Sequence, residues 1–79
     1  MWWLVKKISD NAEKVVYSYG FETDKQTGEI EFDRKTQDFT LTKLAENDNI
    51  KIVTRFLFRH LYRVIVQENC PAERQIAIG

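Results

Sequence analysis

Residues 47–68 read NDNIKIVTRFLFRHLYRVIVQE, and the period of their apolar side chains decides the fold. No Gly or Pro interrupts the stretch. At ~100° per residue, Ile50, Val53, Leu57, Leu61 and Val64 fall within one narrow stripe, the pattern of an amphipathic helix. Asn47 or Asp48 stands where an N-cap belongs, and acidic groups suit the positive end of the helix dipole. Arg63 brings the opposite charge to the far end. Asn69-Cys70-Pro71 closes the segment, because the residue before a proline is pushed out of the helical region. The spacing predicts a helix over 47–68.

Upstream the period changes from 3.6 to two, the mark of strands. Trp2, Leu4 and Ile8 share one face of a strand over 2–9, and Trp3, Val5 and Lys7 share the other. Both faces begin apolar, so the alternation leaves open whether Trp2 or Trp3 points inward. Ser9-Asp10-Asn11 is turn chemistry. In the strand over 13–22, Val15, Tyr17, Tyr19 and Phe21 face one way, and Gly20 suggests a bulge or a bend. Strands over 29–33 and 38–43 place Ile30, Phe32, Phe39 and Leu41 on one face. Gly28 is expected to supply the positive φ of the loop before the third strand. The nine-residue echo from Asp24 to Asp33 reflects two similar turns rather than a repeat.

Consecutive strands with short turns form an antiparallel meander that buries one face. The reading is therefore one α+β domain over residues 1–79: a four-stranded antiparallel meander followed by one long helix packed on one face (ββββα), with a short C-terminal tail over 70–79. Ile76 and Ile78 make that tail either an edge strand or a cover for the helix. The expected core is Trp3 or Trp2, Val5, Val15, Tyr17, Tyr19, Phe21, Ile30, Phe32, Phe39, Leu41, Ile50, Val53, Leu57, Leu61 and Val64. This order of elements is similar to that of the small single-stranded-DNA-binding transcriptional coactivator domains that dimerise through their helices. The likeness covers element order alone, with no matching motif.

Composition narrows the function classes. Acidic and basic residues balance at 12 each, which removes the global attraction to polyanions typical of nucleic-acid binders. The single cysteine, Cys70, has no disulfide or metal-site partner and reads as a reduced thiol. The apolar start, MWWLVKKIS, lacks the build of a signal peptide, and nothing approaches the ~20 apolar residues of a membrane span. The expected location is cytoplasmic. His60, the only histidine, has no second ligand at helical spacing, so neither a metal nor a cofactor is expected. Ser9 and Ser18 lack a nucleophile motif, and so small a core leaves little room for a substrate pocket. The expectation is a non-enzyme.

One feature exceeds the needs of a core. Ile52, Tyr62 and Val66 lie on the helix away from its apolar stripe, among Lys51, Arg55, Arg59 and Arg63, a row recurring every four residues. Interleaved apolar and basic residues on an outward face suit a contact surface, and Arg and Tyr are enriched at binding hot spots. The expected function is a small non-catalytic protein-interaction module that self-associates through this face as a homodimer or meets another protein. The alternative is a single-stranded nucleic-acid-binding domain using the same basic row. Period-two placement assigns the sheet aromatics to the core instead of to base stacking.

Overall fold

The computed structural model describes residues 1–78, and in it the period-two segments form a single antiparallel sheet. Strands β1 (Trp2–Asp10), β2 (Lys14–Phe21), β3 (Gly28–Asp33) and β4 (Phe39–Lys43) make the expected meander. Helix α1, residues 50–66, follows as an α-helical turn (Ile50–Ile52), a π-helical segment (Val53–Leu57) and an α-helical run (Phe58–Val66).

The expected tail is instead a fifth strand, β5 (Glu73–Ala77), antiparallel to β1. The order across the sheet is β4-β3-β2-β1-β5. A meander leaves the outer edge of its first strand unpaired, and the helix returns the chain to that edge. At ~1.5 Å per residue the helix spans roughly 25 Å, comparable to crossing the sheet at ~4.8 Å per strand. Ile76 then pairs with Trp3 and is buried. The tail therefore covers the edge of β1 and leaves the outside of the helix bare.

Trp3 is the inward tryptophan, fully buried, and Trp2 points to the opposite face of the sheet. Trp3 joins Val5, Val15, Tyr17, Tyr19, Ile30, Phe32, Val53, Leu57, Leu61 and Val64 in the core; Phe21, Phe39 and Leu41 pack at its margin. Ile65 and Ala45 are core residues that the apolar stripe did not include. Ile50 was expected inside and is 57% exposed.

The π-helical segment accounts for that displacement. A π turn takes one residue more than an α turn, so everything before it rotates by about one residue, ~100°. Continued as a straight α-helix from Leu61, the phase would aim Thr54 and Ile50 at the sheet and Ile52 away from it. In the structure Val53 is buried, Thr54 is exposed, and Ile52 packs half-buried against the core. The helix is also shorter than 47–68. Asn49 is its N-cap, in extended backbone (φ −130°), and accepts from the Lys51 amide. Asn47 instead adopts φ 63°, and Asp48 accepts from the Trp3 indole.

Two glycines act differently from expectation. Gly20 sits in regular register opposite Leu4. Its bare side lies under the connection from β2 to β3, where an added Cβ would run into the Lys25 carbonyl oxygen. Gln26 holds that connection down, donating to Leu4 O at 3.2 Å and accepting from Ser18 Oγ at 3.0 Å. Gly28 does not take a positive φ. It pairs with Tyr19, whose ring occupies the space that a Cβ there would need. The left-handed backbone falls instead on Glu22, Gln37, Asn47, Asn69 and Cys70.

Candidate interaction surface

The helix can present an outward face because the segments flanking it are pinned to the sheet, chiefly by two tyrosines of β2. At the start, Tyr19 Oη accepts from the Ala45 amide at 2.9 Å, and Thr27 Oγ1 accepts from the Glu46 amide at 2.9 Å. At the end, Tyr17 Oη donates to Pro71 O at 2.5 Å and lies 3.5 Å from Cys70 Sγ. Lys7 Nζ donates to Cys70 O at 3.0 Å. Burial pushes both tyrosine hydroxyls above their ordinary titration range, with the Cys70 contact adding to the effect at Tyr17. These anchors hold the helix in one rotation about its axis.

That rotation separates the seven residues of the expected surface. Lys51, Arg55, Arg59 and Arg63 are exposed, and Val66 is 47% exposed beside them. Ile52 is drawn toward the core by the π segment. Tyr62 leans over the β3–β4 hairpin, its ring edge-on to Phe32 at 6.1 Å and its hydroxyl donating to Gln37 Oε1 at 3.2 Å. Phe58, one turn earlier, stacks on Phe39 at 4.8 Å. The outward face is therefore more basic and less apolar than the helical phase suggested.

Among the described residues its charges have no ion-pair partner. Arg34 is ion-paired to Asp10 at 2.5 Å and Arg74 to Glu68 at 2.8 Å. The other three arginines are Arg55, Arg59 and Arg63, and among the described residues none of them forms an ion pair. Among the described residues Lys51 has none either, as is also true of Lys25, Lys35 and Lys43 off the helix, while Lys6, Lys7 and Lys14 are paired across or along the sheet. On the sheet face away from the helix, β3 carries Glu29, Glu31 and Asp33 in alternation with the buried Ile30 and Phe32. That face also carries Lys14, which is ion-paired to Glu31, and Lys43 opposite Glu29, so it is mixed in charge, whereas the outward face of α1 is basic.

The other candidate groups are internally satisfied. His60 Nδ1 lies 2.9 Å from Phe56 O in its own helix, and Cys70 is buried against Tyr17. Among the described residues no three His, Cys, Asp or Glu side chains converge as metal ligands would. No described helix is long and apolar enough to cross a membrane. Sequence reasoning did not reach the groove of about 390 Å³ between α1 and β5, lined by His60, Arg63, Val64, Glu68 and residues 74–77. The alternation of Ile76 and Ile78 was the only signal for it. Compared with known protein families, with characterised proteins and with solved structures, the chain shows no match.

Proposed function

We propose that this chain is a non-catalytic interaction module whose contact surface is the outward face of α1: Lys51, Arg55, Arg59, Arg63 and Val66, rimmed by Tyr62 and Ile52. The observation that carries the reading is the contrast among the arginines. Those off the helix are ion-paired, and among the described residues those on its outward face are not. Unpaired arginines on a rigid element are poised for carboxylates, which they bind in a two-pronged geometry. The complement is an acidic protein surface.

A second copy carries carboxylates on the far side of its sheet, at Glu29, Glu31 and Asp33, of which Glu31 is shared with Lys14. Self-association by this face therefore runs helix to sheet, because a two-fold pairing of helices would set arginine against arginine. A strand of single-stranded nucleic acid would meet the same arginines without stacking partners, since Tyr17, Tyr19 and Phe32 lie buried beneath the helix.

The test is solution mass by light scattering across protein and salt concentration, for wild type and Arg59→Glu, together with binding of a labelled oligoglutamate and a labelled oligothymidylate. The reading expects association or oligoglutamate binding that weakens with salt and falls by about tenfold or more in Arg59→Glu, as at a hot spot, with the circular dichroism unchanged. Binding confined to oligothymidylate, with affinity falling at roughly 0.7 log unit per log unit of salt for each phosphate, would replace it with the nucleic-acid reading. A wild-type monomer that binds neither probe would end it.

A further inference from the structure

The free edge of β5, and one side chain lying across it, belong to neither the core nor the helix face. Met1 and Ile78 exchange both backbone bonds, at 2.9 and 2.8 Å, and the Lys7 amide donates to Ala72 O at 2.8 Å. Hydrogen-bonded pairs alternate along an antiparallel ladder. Residues 72, 74, 76 and 78 therefore bond to β1, and Glu73, Gln75 and Ala77 turn their N–H and C=O groups outward. The opposite edge, β4, is interrupted by a register shift at Thr42, whose hydroxyl donates to Glu29 O. A bulge of this kind discourages edge pairing. The β5–β1 register shows no such shift.

Arg74 guards this edge instead. Its Nε donates to Glu68 Oε1 at 2.8 Å, and its Nη1 donates to Gln75 O at 2.6 Å. The guanidinium thus takes the central outward-facing carbonyl while tethered just beyond the end of α1. We propose that β5 is a latent pairing edge for a second copy of this chain, and that the Arg74–Glu68 clasp keeps it closed.

The strand is self-complementary about Gln75. In an antiparallel pairing centred there, Gln75 meets Gln75 of the second copy, Glu73 meets Ala77, and Arg74 meets Ile76. No like charges stand opposite one another, and each outward-facing pair exchanges both of its backbone bonds. The two sheets would join into one, with both helices on the same side and the grooves beside His60 and Val64 facing each other. This interface is built on the backbone edge of β5, and it meets the basic helix face only at Arg63, which lines the groove.

The experiment is light scattering in an Arg59→Glu background, which suppresses contacts through the helix face. Arg74→Ala should double the solution mass at micromolar concentrations, and Glu68→Ala should move it in the same direction. Adding Gln75→Pro should restore the original mass: a proline there removes an outward-facing N–H and leaves the β1 ladder intact. Hydrogen exchange gives a second readout, with the Glu73, Gln75 and Ala77 amides becoming protected in the doubled species. A mass unchanged by both clasp variants would overturn the proposal. So would a doubled species that survives Gln75→Pro or leaves those amides unprotected.

Discussion

The buried Trp3 indole donates from Nε1 to Asp48 Oδ2 at 2.8 Å, tying the first strand to the turn that launches the helix. The two residues are 45 positions apart, so this bond closes the fold across most of the chain. Asp48→Ala removes the acceptor and strands an indole N–H in the core. The expected cost is about 1.5–3 kcal/mol, the range for a hydrogen bond to a charged group. Urea unfolding followed by tryptophan fluorescence measures it; an unchanged midpoint would show that water replaces the carboxylate.

Ile50 and Ile52, two positions apart, should differ in the sense opposite to the one their helical phase implies. Ile52→Ala removes a side chain packed on the core and should destabilise by about 1–3 kcal/mol, less than a fully buried site. Ile50→Ala alters a side chain that is 57% exposed and should stay within about 0.5 kcal/mol. Denaturant midpoints of the two variants decide the matter. Equal losses would argue against the π turn in solution.

Gly20→Ala should be costly although alanine suits a strand as well as glycine does. The added methyl meets the backbone carbonyl of Lys25, with Thr23 O only 2.8 Å away. The 22–27 connection must lift off the sheet, for a loss of about 1–3 kcal/mol, as for an overpacked core. Amide exchange should speed up at residues 23–27 before it does elsewhere. A variant with wild-type stability and exchange would place that connection away from the sheet.

Stability should fall off on both sides of neutrality, for opposite reasons. Burial raises the Tyr17 and Tyr19 hydroxyls above the ordinary value of 10.0. The fold thus holds their protons more tightly than the unfolded chain does. Their contribution is complete below about pH 10 and is lost as pH rises further. Asp10 is lowered from 3.8, chiefly by its bond to Arg34, and Asp33 by the Thr36 and Lys35 amides. Their contribution is present above about pH 4 and is lost as pH falls through the lowered values. Tyr17→Phe should flatten the alkaline limb and Asp10→Asn the acid limb, read by unfolding midpoints across pH. An alkaline limb identical in Tyr17→Phe would remove that hydroxyl from the account.

The sequence by itself determined the elements whose period is unambiguous. Val15, Tyr17 and Tyr19 alternate over a whole strand, so one face had to be buried. Leu57, Leu61 and Val64 repeat at helical spacing, so they had to meet that face. The order of the four strands followed from short turns between them. Such features are local, set by the pleat, by the pitch of the helix and by burial of one side of each. The basic row was legible for the same reason, since residues four apart on a helix share a face.

What only the tertiary structure decided depends on contacts between distant parts of the chain. Trp2 and Trp3 are equally apolar, and the Asp48 carboxylate identifies the inward one. The rotation of the first helical turn depends on a π segment that no residue pattern announces. It moves Ile50 out and Ile52 in. Gly28 sits where the Tyr19 ring must lie, and Gly20 where the β2–β3 connection crosses the sheet. The C-terminal strand formed because the edge of β1 was unpaired and the helix ended beside it. Arg74 could then reach both Glu68 and Gln75. Local periodicity specifies which side of an element is apolar; the partner that side meets is settled only when the elements assemble.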